Sequence, residues 1–301
     1  MRNVSRSSAA ALSLAAFTLW VLADTCLKFA GLSALPAMEM LAIVGFTIAL
    51  LMAAKTLAFG HRERLRPKRP ALQVARSLFD LVNNLGVIIA LRHLPLALFY
   101  ILVFLAPLTT TLLAAPLLGE SLELKKSAAI LAGFAGVVIA VNPLGVRQPG
   151  DWIGLLACML CVTCFTFSIL LSRRMSQTET PESLTFVSGL VMFATGTLLM
   201  LGHAKMPTLP VAATLAACGA CGVVGAMCFF IALKCLPAAD VMQFHYSQLL
   251  TGALLAWLLF RERPTPAMWL GAPLIVAAGI YTARANRPAM ADVEALFAEH
   301  P

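Results

Sequence analysis

Apolar residues along this chain gather into ten long runs separated by short polar breaks. The runs cover 9–31, 37–59, 71–92, 95–118, 126–142, 151–172, 182–203, 209–234, 238–260 and 266–284. A helix of about 20 residues crosses the hydrocarbon of a bilayer at about 1.5 Å rise per residue. Most runs have that length, and 126–142 is the shortest. Prolines punctuate the breaks at Pro36, Pro95, Pro149, Pro181, Pro237 and Pro266. The pattern predicts an all-α integral membrane protein with ten transmembrane helices and a short cytoplasmic tail at 285–301.

Composition excludes the aqueous alternative. Of 301 residues, 60% are hydrophobic and 12% charged, whereas soluble domains are nearer a quarter charged. The net charge of +8 belongs to topology rather than nucleic acid, because the basic residues sit in loops. With the N-terminus inside, fourteen Lys and Arg fall on the cytoplasmic side and five on the other. The loop HRERLRPKRP dominates that count. Both termini are therefore predicted cytoplasmic, in a bacterial inner membrane. The first run superficially resembles a signal peptide, but Asp24 and Lys28 lie inside it and no A-x-A site follows, so it is read as an uncleaved helix. Eight cysteines all fall in or beside apolar runs. Metal or redox use would place thiolates in hydrocarbon, so they are read as packing residues, with no metal and no cofactor.

The chain repeats itself. ALRHLPLALFYILVFLAPLTTTLLAAPLLGE from Ala90 aligns without a gap to ALKCLPAADVMQFHYSQLLTGALLAWLLFRE from Ala232, with 12 identities in 31 positions. The shared L-x-x-L-P start and the Glu120/Glu262 match are its specific features. Each half, 1–147 and 148–284, would hold five spans. An odd number turns the second half upside down, giving two inverted repeats, an architecture of alternating-access carriers whose solute site lies between the halves.

Those same segments resemble the EamA repeat of the drug/metabolite transporter superfamily. Pro95, Pro107, Gly119–Glu120 and Gly136–Val137 carry the resemblance in the first half, and Pro237, Glu262 and Gly279 in the second. The second half departs with Leu249 for Pro107 and Arg261 for Gly119. The resemblance implies a ten-helix secondary carrier exporting small organic solutes, neutral or aromatic amino acids or related metabolites. Uptake of an S-adenosylmethionine-like solute is the alternative, because that branch has a similar Asp and Lys four residues apart, as at Asp24 and Lys28. Partners are then the solute and the bilayer, with the protein a monomer or weak dimer.

Ionisable groups in mid-membrane cost about 2.5–3.5 kcal/mol each on insertion scales, so each needs a reason. In the ninth run Asp240, Gln243, Phe244, Ser247, Gln248 and Thr251 fall on one helical face, with His245 beside it. In the third, Arg76, Asp80 and Asn84 stack at four-residue spacing beside Asn83. The expected cavity lining is Trp20, Asp80, Asn83, Asn84, Tyr100, Gln243, Phe244, His245, Ser247 and Gln248, with Phe17, Phe99 and Phe104 as further candidate aromatics. Asp24, Lys28, Arg76, Asp80 and His245 are candidates for coupling or gating, with Asp24–Lys28 and Arg76–Asp80 as ion pairs. Pro107 and Pro273 are candidate hinges. Gly219, Gly222 and Gly225 are expected to allow close helix approach. No H-E-x-x-H, G-x-S-x-G or P-loop occurs, so neither an enzyme nor direct ATP use is expected.

Overall fold

The computed structural model describes residues 6–33, 35–106, 108–110, 113, 124–141, 149–175, 178–201, 204–235, 241, 244–263 and 265–285. Among them are ten α-helices: α1 Arg6–Gly31, α2 Ala37–Ala58, α3 Pro70–His93, α4 Leu96–Val103, α5 Leu124–Val141, α6 Pro149–Met175, α7 Pro181–Leu199, α8 Leu209–Cys235, α9 Ser247–Phe260 and α10 Pro266–Ala285. Six of these, α1, α2, α3, α6, α7 and α8, are long and apolar enough to cross a membrane. Large apolar side chains such as Leu131, Leu156, Leu250 and Leu270 remain exposed on the outside of the bundle, where only lipid would make them comfortable.

Helix starts follow the punctuation. Pro70 and Pro181 occupy the first turns of α3 and α7, where a missing N–H is no loss. Thr180 caps α7 by accepting from Ser183 N at 3.1 Å.

The helices pair in a regular way. The closest partners are α1 with α8, α3 with α6, α2 with α7, α5 with α10, and α4 with α9. Small residues permit the approach. A Cβ on Gly45 would lie 2.6 Å from Phe193 N across the α2–α7 contact. One on Gly271 would lie 2.3 Å from Gly136 O across α5–α10. All of α4 is buried, so this short helix forms the centre that the others surround.

Two spans differ from expectation. The helix α4 ends at Val103, whose carbonyl a proline four residues on cannot satisfy; Pro107 itself lies outside the described residues. The ninth run is not one regular helix. Phe244–Tyr246 forms a 3₁₀ turn before α9 begins at Ser247, so the 100° spacing assumed for its polar face does not hold across that turn. Asp240 and Gln243 lie outside the described residues. The helix α10 continues through Pro273.

Candidate solute-binding cavity

A cavity of about 190 Å³ lies inside the bundle. Among the described residues its walls come from α1, α2, α3, α4, α6, α7 and α8 and from His245 and Gln248, with none from α5 or α10. It therefore sits between helices of both halves of the chain.

One wall is aromatic. Trp20, Phe165, Phe229, Phe230 and His245 border the space. The His245 ring lies nearly parallel to Phe165, with centroids 6.0 Å apart at 27°. Phe17 and Phe104 hold it edge-on from behind, at 5.0 and 5.6 Å, an arrangement that suits the quadrupoles of the rings. His245 Nδ1 is buried without a hydrogen-bond partner among the described residues. Gln248, one turn on, donates to Phe17 O at 3.2 Å.

Another part of the wall is polar and tightly knotted. Arg76 donates through Nη2 to Asp80 at 2.6 Å, through Nε to Ser172 at 2.7 Å, and through Nη1 to Leu184 O and Ser188, each at 3.1 Å. Asp80 also accepts from Ser188 at 2.7 Å and from Ser168. The Arg76 guanidinium lies 5.3 Å from the Phe230 ring. This network ties α3 to α6 and α7, and it uses most of the hydrogen-bonding capacity of both charges. The asparagines are less committed. Asn84 Nδ2 donates to Asp80 O at 2.8 Å and Asn83 Oδ1 accepts from Cys161 Sγ at 3.0 Å. Their other amide atoms have no protein partner among the described residues.

Asp24 borders the same space from α1. Tyr100 Oη donates to it at 2.9 Å. The expected pair between Asp24 and Lys28 does not form. Lys28 Nζ instead bonds Glu262, donates to Leu94 O at 3.2 Å, and sits 5.1 Å from the Phe260 ring. Glu262 further accepts from Leu96 N at 2.7 Å, at the start of α4. The chain end of α1 lies where these acceptors converge, so the long lysine stem reaches them in preference to a carboxylate one turn back along its own helix.

The opposite end of the bundle has its own polar ties. Glu182 meets Arg64 at 3.1 Å and Lys55 at 3.4 Å. Glu179 accepts from Arg69 N at 2.7 Å and Lys68 N at 3.1 Å.

The expected lining residues thus divide. Trp20, Asp80, Asn83, Asn84, His245 and Gln248 border the cavity, as do Asp24, Arg76 and Phe99. Tyr100 is buried behind Asp24, and Phe17 and Phe104 behind His245. Phe244 packs into the apolar cluster around Phe17 and Phe229. Ser247 turns back to donate to Phe244 O at 2.7 Å. Of the three glycines of α8, Gly219 and Gly225 meet Thr47 and Trp20 closely, while Gly222 borders open space, with only Ile48 Cδ1 near at 3.8 Å. Sequence reasoning missed Phe165, Phe229, Phe230, Ser168, Ser172, Ser188 and Glu262. Phe165, Ser168 and Ser172 are spaced three and four apart on α6, a one-face signal just after the run of Cys158, Cys161 and Cys164.

Comparison with known proteins decides the family. The profile of the EamA-like transporter family matches residues 7–142 and again residues 152–283. The chain belongs to this family. It is a multi-pass membrane protein of a transporter family. The S-adenosylmethionine uptake transporter of Rickettsia bellii is 22% identical over 81% of this chain and 83% of its own length. The corresponding transporter of Rickettsia prowazekii is 20% identical over 82% and 83%. The riboflavin transporter of Rhizobium johnstonii is 30% identical over 61% of this chain and 60% of its own. A solved crystal structure aligns with a TM-score of 0.67 at 23% identity, covering 94% of this chain and 100% of the other, which shows a shared fold.

Proposed function

We propose that this protein is a secondary carrier of the bacterial inner membrane that takes up an S-adenosylmethionine-type solute by alternating access. The observation that carries the reading is the two-faced cavity. Aromatic side chains offer stacking surface to a planar heterocycle, while Asn83 and Asn84 offer polar contacts to an amino-acid head group. Relatives that import S-adenosylmethionine, matched over four-fifths of the chain, support that solute class over the amino-acid export expected from sequence. Aromatic amino acids share the same two chemical halves, so their export stands as the second reading.

The halves 1–147 and 148–284 are proposed to be inverted repeats. Exchanging each helix for the one five places along maps the close pairs onto themselves, as a two-fold axis in the membrane plane would. With the termini inside, the Lys28–Glu262 tie is the outer gate and the Glu182 cluster belongs to the inner face. Each joins the two halves, and transport requires them to part in turn.

Counterflow in proteoliposomes tests the reading. Proteoliposomes preloaded with unlabelled S-adenosylmethionine should accumulate labelled S-adenosylmethionine transiently and saturably. Counterflow of phenylalanine or tryptophan in its place would support the second reading. Ohmic ion current, or flux of no organic solute, would sink both.

A further inference from the structure

We propose that Asp24 is the specificity residue that demands a positive charge on the solute, so that the carrier selects organic cations of the sulfonium or ammonium class. The inference rests on the proposed reading of the cavity. Three acidic or strongly basic side chains line the cavity among the described residues: Asp24, Arg76 and Asp80. Arg76 and Asp80 neutralise each other and are bonded on all sides by Ser168, Ser172, Ser188 and Leu184 O. Asp24 has one neutral donor, Tyr100 Oη, and no basic side chain within salt-bridge distance among the described residues. Its natural intrahelical partner, Lys28, is held by Glu262 and Leu94 O.

A carboxylate has about four lone-pair sites, and a single phenol satisfies one. The cavity wall it shares includes Ala23, Leu27, Val87, Phe99 and Cys161, none of which carries a positive charge. With no countercharge from the protein, the carboxylate form of Asp24 gains its stabilisation from a cation that enters these low-dielectric surroundings, where the attraction is strong. Trp20, one turn back on α1 and also on the cavity wall, adds an aromatic face of the kind that attracts a sulfonium or ammonium. The positioning is built in. A Cβ on Gly252 would lie 2.2 Å from the Tyr100 ring, so only glycine there leaves room for the tyrosine that orients Asp24.

The test compares S-adenosylmethionine with S-adenosylhomocysteine, which lacks the methyl group and with it the sulfonium charge. Initial rates in proteoliposomes should favour the sulfonium in the wild type. Asp24→Asn, which keeps an acceptor for Tyr100, should lower the rate ratio at least tenfold, and Asp24→Glu should retain the preference. An unchanged ratio in a monodisperse Asp24→Asn protein overturns the inference. So does a variant that loses only dependence on a pH gradient, which assigns Asp24 to a proton instead. If the wild type moves neither compound, the proposed function fails separately. Transport of uncharged riboflavin in their place overturns the cation claim as well, whereas transport of another organic cation that Asp24→Asn abolishes sustains it.

Discussion

Two aspartates face one cavity and do opposite things. Asp80 is bound by an arginine and two serines, and the knot it forms spans three helices. Asp24 accepts one hydrogen bond among the described residues, from Tyr100, and lines the cavity. Both are mid-helix carboxylates with a basic residue four positions away, so local sequence makes them look alike. The difference comes from what distant parts of the chain bring: three serines to Asp80 and Arg76, but a competing glutamate to Lys28. A charge whose partners are all protein is architecture, and a charge left short of partners is available to a ligand.

The largest effect should come from cutting the knot. Asp80→Ala leaves the Arg76 guanidinium buried without its countercharge, and losing one member of a buried pair costs about 3–5 kcal/mol. Unfolding in detergent should show that loss directly. Replacing both, as in Arg76→Met with Asp80→Leu, should recover much of it. A stable Asp80→Ala protein would erase the contrast with Asp24.

The Lys28 end offers a sharper version of the same question. Glu262→Ala should destabilise more than Lys28→Ala, because Glu262 also holds the amide at the start of α4. A double-mutant cycle should give a coupling of about 1–3 kcal/mol. Additive single effects would mean that the pair does not act as one latch.

Filling the cavity separates transport from folding. Gly222→Leu enters open space beside Ile48. It should cut counterflow by at least tenfold, equivalent to about 1.4 kcal/mol, while the melting temperature stays near wild type. The smallest effect concerns Arg261, which has φ of 56°, a left-handed conformation costing about 1–2 kcal/mol for a side chain with Cβ. Arg261→Gly should raise stability by about 1 kcal/mol, read by the same unfolding measurement.

The last case also shows what was legible beforehand. The alignment of Arg261 with Gly119 marked a departure at the helix end, and the positive φ supplies its meaning: a glycine position occupied by arginine. Six of the ten apolar runs stand as helices long and apolar enough to cross a membrane, since length and hydropathy decide whether a segment can live in lipid. The stack of Arg76, Asp80 and Asn84 was legible because four-residue spacing fixes a face. Their serine partners on α6 and α7 were not, because a hydroxyl in a membrane helix acquires a role only from its neighbour. The 3₁₀ turn at Phe244–Tyr246 was hidden for a related reason. Tertiary contacts around His245, rather than local propensity, decide the backbone there, so a face drawn at 100° per residue included Ser247, which turns inward to its own chain. Lys28 was assigned to Asp24 because sequence sees four residues and cannot see Glu262, 234 positions away.

The division of labour between the two carboxylates is tested most directly by thermal unfolding of wild type, Asp24→Asn and Asp80→Asn, each with and without saturating S-adenosylmethionine. The wild type should melt higher with solute, as any ligand of the folded state requires. Asp24→Asn should melt at or above the solute-free wild type and show no shift on addition. Asp80→Asn should melt lower before any solute is added. An Asp24→Asn protein that keeps the full shift, or an Asp80→Asn protein as stable as the wild type, would contradict the account.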